Sequence, residues 1–354
     1  MAKSFLDFYD DNALVKENSF IAQAPDRTPP PSLHDPRVRA RLPQPFWEGQ
    51  RGADAVACYW RTWELAFGNL RGVGARFGVA PFIDTAFNDC LFMWDSTFIL
   101  MGLRYGERAF AFQRTLDNLY AKQHQDGFIS REIQEWDGQD RFHRYDPAST
   151  GPNVLAWCEW EHYQCYHDKE RLRRVFAPLL AYHMWMRKNR TWPDGSYFSC
   201  GLACGMDNQP RTLPGGNAWL DHSWQAWVDA TAQACISARL LVRMSEELGE
   251  SGRPEVEDCL MEAAQLQSYM MTYMWDAEHG TFADRRLKVG DGHREHSPTR
   301  TIGAYWALLA DVVTPDRMEP FVAALDDPAL FNRAVRPPTL AAADPDYRRD
   351  GGYW

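Results

Sequence analysis

The chain has 354 residues, enough to bury a large core as one big domain or two ordinary ones, and its 45% hydrophobic and 24% charged content is ordinary for a soluble globular protein. A formal net charge of −10 argues against nucleic acid or an anionic membrane surface as the main partner, because both would repel it, and favours a neutral or cationic small molecule. Eight cysteines in a chain this long do not make a disulfide framework, and no run of apolar residues is long enough to span a membrane.

The N-terminal stretch MAKSFLDFYDDNALVKENSF is charged throughout and lacks the apolar run of a signal peptide, so the chain is expected to be cytoplasmic. Residues 1–52, with the run Pro29-Pro30-Pro31, read as an extended arm with little core of its own. From residue 53 onward apolar positions recur at three and four rather than two. This spacing predicts helices near 53–70, 96–105, 107–123, 153–167, 169–190, 221–248, 254–275, 298–311 and 316–326. Leu172, Val175, Leu179, Tyr182 and Met186 mark one buried stripe; Trp227, Ala230, Ala234, Ala238, Leu241, Met244 and Leu248 mark another. The loops 124–152, 191–220 and 276–297 are long and polar or Gly-rich, and no adjacent segments alternate like a sheet. The expected fold is all-α, a helical toroid in which the long loops gather at one end.

Most familiar chemistry is missing. Gly72 to Gly78 has the wrong spacing for a dinucleotide loop and no strand before it, and no P-loop, nucleophile elbow or HExxH pattern occurs. Cys200 and Cys204 have no second pair at zinc spacing, and His293 and His296 read as solvated surface residues. No cofactor or metal is expected. The sequon Asn189-Arg190-Thr191 would matter only in a secreted protein.

The loop TWPDGSYFSCGLACGMDNQPRTLPGGNAWL is different. Asp207 lies at its centre, between Gly205-Met206 and Asn208-Gln209-Pro210, where glycine and proline exclude a helix interior and hold the carboxylate on a turn. A sugar offers hydroxyls around its rim and C–H patches on its faces, so its site needs planar aromatics beside hydrogen-bonding groups. Trp192, Tyr197, Trp219, Asn208 and Arg211 supply both. A plainer reading pairs Asp207 with Arg211 and has it cap the helix after Trp219. Trp94 and Asp95 set an aromatic plate beside a carboxylate at a helix start, where Asp95 and Ser96 could equally be an N-cap. Asp126-Gly127 is a turn signature just before Phe128, and the run from Asp146 to Asn153 leads into the next helix.

Five segments, FMWDSTF (92–98), QDGFI (125–129), STGPN (149–153), GMDNQPR (205–211) and GGYW (351–354), resemble in content and order the trehalase-like glycoside hydrolases. The likeness is to members with an (α/α)6 toroid, especially glycoside hydrolase family 63 and its mannosylglycerate hydrolase-like branch. The resemblance implies a six-hairpin glycosidase-like domain over 53–354 that hydrolyses a small α-linked gluco- or manno-configured glycoside, such as a disaccharide or glycosyl-glycerate, with inversion. It implies Asp207 as general acid and a sugar subsite lined by Trp94, Asp95, Tyr353 and Trp354. Gly127, Phe128, Asn153, Gly205, Met206, Asn208 and Arg211 complete the implied substrate-binding set.

The implied acid must be protonated near neutral pH, so its aromatic-rich loop is expected to raise its pKa above about 4. A water activated by a second carboxylate would need the pair roughly 6.5–9.5 Å apart. In the family that base is a Glu near the C-terminus, and no residue here matches it; it is expected beyond residue 354. The predicted helices also fall short of six pairs. The expectation is a toroid incomplete at its C-terminus, a fragment whose uncovered apolar faces would encourage association into an oligomer. An epimerase or lyase of the same fold would use His or Tyr in place of the carboxylate pair. The alternative from another class is a non-catalytic sugar-binding or scaffolding protein on the same toroid.

Overall fold

The structure, a computed structural model, describes residues 11–74, 76–84, 88–213, 215–287, 293–335 and 337–352. Among these residues helices dominate, as the spacing predicts, and four two-stranded antiparallel ribbons are added between them. The chain forms two compact units, one from residues up to His143 with Cys158–Pro178, the other from Arg144–Trp157 with Leu179 onward. None of the described helices is long and apolar enough to cross a membrane.

In the first unit the Gly52–Gly68 and Met93–Leu103 helices realise two predicted segments. The predicted 107–123 helix is instead a 3-10 turn, Phe112–Leu116, running into a short helix, Asp117–Ala121. The N-terminal arm lies against this unit: Leu14, Val15 and Phe20 are buried. Asn18 Nδ2 donates to the Tyr120 carbonyl (2.9 Å) and to Gln123 Oε1 (2.8 Å), pinning the arm. Behind Tyr120, Arg171 forks onto Glu159 (2.8 and 2.7 Å) and reaches Asp117 (3.0 Å), so these charges are buried only as partners.

In the second unit the Val228–Leu248 helix packs along Pro254–Tyr269. Small buried residues, Ala232, Cys235 and Ala238 on one and Cys259 and Ala263 on the other, let the two helices approach closely. The first helix starts at Val228 and not near 221, because Ser223 and Trp224 have φ of 50° and 55°, a left-handed backbone that a right-handed helix cannot include. It ends at Gly249 (φ 73°), where the Glu250 N–H returns to the Ser245 carbonyl (2.8 Å) in a Schellman-type cap. Pro254 then opens the next helix, where a missing N–H costs nothing. The predicted 254–275 segment is α-helical only to Tyr269; a π turn, Met270–Met274, leads into a ribbon of Trp275–Asp276 with Thr281–Phe282. The predicted 298–311 helix shrinks to a 3-10 turn, Ile302–Tyr305, and one turn of helix, Trp306–Leu309.

Candidate active site around Asp207

The Asp207 turn is built by a close backbone approach. Gly201–Cys204 is a single helical turn whose entry is tied down by Gly201 N–H to Ala218 O (3.1 Å) and Leu202 N–H to Trp219 O (3.0 Å). A Cβ on Gly201 would collide with the backbone carbonyls of Asp207 and Ala218, so glycine is required for the chain to fold back at this point. Gly205 (φ 81°) ends the turn in the left-handed conformation that glycine adopts freely. Cys204 and Met206 pack with Trp227, and Gln209 N–H bonds back to Met206 O (3.1 Å). Asp207 is left half-buried at the crest.

Arg211 does not face a ligand. Its Nε donates to Asp284 Oδ2 (2.8 Å), Nη1 to Asp229 Oδ2 (2.7 Å), and Nη2 to Asp229 Oδ1 (2.9 Å) and Asp284 Oδ1 (2.7 Å). Its Cζ lies 4.0 Å from the Trp227 ring centroid, and its side chain is fully buried. This corrects two expectations. Arg211 braces the end of the Asp207 turn instead of meeting a sugar, and two carboxylates other than Asp207 occupy its fork. No helix starts directly after Trp219: Asn217 Oδ1 accepts from Trp219 N–H (3.0 Å) in a turn, and the next helix opens at Val228 with no side-chain cap.

Beyond the crest the same loop borders a cavity of about 720 Å³, within the size of small-molecule sites. Asn208, Gln209 and Thr212 line it with Arg348, Arg349 and Gly352. The segments GMDNQPR and GGYW, far apart in sequence, therefore meet at one cavity, although Tyr353 and Trp354 themselves lie outside the described residues. Asn208 Oδ1 and Gln209 Oε1 are buried acceptors with no donor among the described residues, while Gln209 Nε2 is held by Thr339 O (3.0 Å).

Asn153 lies in a different network of the same unit. It is buried, and its Nδ2 donates to His183 Nδ1 (3.0 Å), which puts the His183 proton on Nε2, facing Glu262 (3.0 Å). Burial pushes Glu262 up, but its bonds from His183 and Tyr197 and the nearby Arg187 outweigh that and hold it below the usual carboxylate range. Tyr197, expected among the sugar-facing aromatics, is fully buried here as a donor to Glu262.

Four expected residues belong to the first unit. The ribbon of Cys90–Phe92 with Glu132–Gln134 leads into the Met93–Leu103 helix, whose first turn carries Trp94 and Asp95, both half-buried. Neither Asp95 nor Ser96 is the N-cap residue. That position is Phe92, and the fully buried Asp84 accepts from Phe92 N–H (2.7 Å) and Ser96 Oγ (3.3 Å) through Oδ2. Trp94 packs on Phe98, with ring centroids 4.5 Å apart. The Asp126-Gly127 turn forms as the sequence predicts, with Phe128 N–H on Asp126 Oδ1 (3.2 Å) and Gly127 at φ 100°. Phe128 is fully buried and backs this turn instead of presenting a face to solvent.

Ser223 and Trp224 are consecutive L-residues in the left-handed region, at about 1–2 kcal/mol each, yet Trp224 is 57% exposed. Its ring stacks on Trp192 (centroids 5.7 Å, 29°), and Trp192 is fixed by its Nε1 bond to Gln225 O (2.7 Å). Nothing in the run His222-Ser223-Trp224 signals this backbone, because glycine, the usual marker, is absent.

Comparison with known proteins agrees with this picture. Residues 90–354 match the family described as "Mannosylglycerate hydrolase MGH1-like glycoside hydrolase domain". The glucose complex of the family 63 mannosylglycerate hydrolase from Thermus thermophilus superposes with a TM-score of 0.65 at 18% identity, over 83% of this chain and 82% of that one. Neutral trehalase Nth1 from Saccharomyces cerevisiae gives 0.51 at 14% identity, over 74% and 57%. These likenesses bear out the (α/α)6 fold class. An uncharacterized protein of Borreliella burgdorferi is 21% identical over 262 residues, 73% of this chain and 50% of its own length, so the chain spans half of that relative.

Proposed function

The chain belongs to the mannosylglycerate hydrolase MGH1-like glycoside hydrolase family, and from that premise we propose that it hydrolyses the O-glycosidic bond of a small α-linked gluco- or manno-configured glycoside in the cytoplasm, with Asp207 as general acid. Asp207 in its protonated form donates to the glycosidic oxygen as the C1–O bond breaks. A water attacks C1 from the opposite face and gives its proton to a carboxylate base, so the product sugar has inverted configuration. No residue of this sequence is assigned as that base. Asn208, on the cavity next to Asp207, serves the sugar subsite in this reading.

The observation that carries the reading is the cavity of about 720 Å³ that begins one residue after Asp207, where Asn208, Gln209 and Thr212 share the lining with Arg348, Arg349, Gly351 and Gly352. The test is Asp207→Asn, assayed on α-linked disaccharides and glycosyl-glycerates with the anomeric product followed by NMR. Hydrolysis should drop by orders of magnitude with sugar binding retained, and an unchanged rate removes Asp207 from the mechanism. A wild-type chain that binds these sugars and hydrolyses none of them is a binder.

A further inference from the structure

Trp224 is held in place more firmly than a surface indole needs. Trp224 N–H donates to His222 Nδ1 (3.1 Å), Arg294 Nη1 donates to Trp224 O (3.1 Å), and Ser223 N–H donates to Asp221 Oδ1 (2.6 Å). Ser223 Oγ accepts from Leu213 N–H (3.0 Å), locking the fully buried serine beneath. Burial disfavours the charged form of His222 and lowers its pKa, which keeps Nδ1 available as an acceptor. Trp192 covers one face of the Trp224 ring, and Arg294 in turn lies over Trp192 (5.2 Å). These contacts hold two left-handed L-residues in a costly backbone, and the visible result is one exposed, immobilised aromatic face. Strain that the surroundings over-determine is a mark of function.

We propose that Trp224 is a preformed stacking plate for a sugar ring, an inference that rests on the glycosidase reading above. The His222 ring lies edge-on to the indole (centroids 5.2 Å, 78°), and Asp221 and Arg294 bond the backbone that carries it, at Ser223 N–H and Trp224 O. A pyranose has the matching form, a C–H face with a hydroxyl rim, whereas a protein partner would need a wider apolar surround. The plate is also tied to the Asp207 loop, since Leu213 N–H donates to Ser223 Oγ (3.0 Å) and the Trp192 ring stacks on Trp224.

The experiment uses the full chain carrying Asp207→Asn, titrated by calorimetry with D-glucose, D-mannose and α-linked disaccharides. Adding Trp224→Ala should weaken binding about tenfold, and Trp224→Phe should restore it to within about threefold. Trp224→Gly, which accepts the left-handed backbone freely, should lose affinity while its thermal midpoint holds or rises. Unchanged affinity in Trp224→Ala overturns the plate. So does an affinity loss accompanied by a fall in midpoint in both the Ala and Gly variants, which would assign Trp224 to packing. If Asp207→Asn alone still hydrolyses, the general-acid reading fails while the binding series still judges the plate. If hydrolysis is lost and Trp224→Ala binds normally, the plate alone fails. No binding of any of these sugars to the parent chain overturns both.

Discussion

Replacing Arg211 by Met tests how the Asp207 turn is held. The guanidinium makes four N–H···O bonds of 2.7–2.9 Å to Asp229 and Asp284, whose side chains are 2% and 3% exposed. Methionine keeps much of the volume and removes every donor. Among the described residues the stranded carboxylates retain only the Ala230 N–H (2.9 Å) on Asp229 and the Val228 N–H (2.8 Å) on Asp284. Breaking a buried pair by removing one partner costs about 3–5 kcal/mol, because the uncompensated charge remains in a poorly solvating interior. With two carboxylates sharing the lost cation, the upper part of that range is expected, read as a shift of the urea unfolding curve at pH 7. Adding Asp284→Asn to Arg211→Met should recover part of the loss, since one stranded charge goes. A cost below about 1 kcal/mol, or no recovery in the double variant, would show that the triad does not brace the turn as argued.

Two further outcomes follow from particular contacts. Glu107 is pushed up to about 7 by burial, with Glu159 adding to the rise and Gln113 N–H, Arg171 and Arg114 opposing it. A folded pKa raised above the unfolded value of about 4.5 means that its contribution is present below 4.5 and lost as pH rises through 7. Glu107→Gln should therefore flatten the stability profile across that window by about 3 kcal/mol; urea midpoints that stay parallel to wild type between pH 4.5 and 7.5 would contradict this. Gly201→Ala puts a methyl against the backbone carbonyls of Asp207 and Ala218. It should cost about 1–3 kcal/mol of stability, and displacing the acid by even 1 Å should cut kcat on the order of 100-fold, so full activity in that variant would place Asp207 outside the chemistry.

What could be read from the sequence divides along physical lines. The long helices were legible because each rests on its own repeating pattern: Leu172, Val175 and Leu179 are buried as their spacing predicts, and so are Ala234, Ala238 and Leu241. Segments whose shape depends on distant partners were not. The 298–311 pattern survives only as short turns, and the start of Val228–Leu248 is set by a left-handed pair that no glycine announces. At the site, the turn chemistry of Gly205 and Asp126-Gly127 was legible because glycine and Asx turns are local devices. The role of Arg211 was not. An arginine four residues after a carboxylate invites a local ion pair, but a buried guanidinium goes where two carboxylates can satisfy its fork, and Asp229 and Asp284 lie 18 and 73 residues further along. The same logic makes Asp284 informative. It sits in no recognisable motif, yet it accepts from both Arg211 and the first N–H of the Val228–Leu248 helix, joining the Asp207 turn to the scaffold. Sequence motifs mark the residues facing a substrate; the residues that hold them still are found by tracing where each buried charge is satisfied.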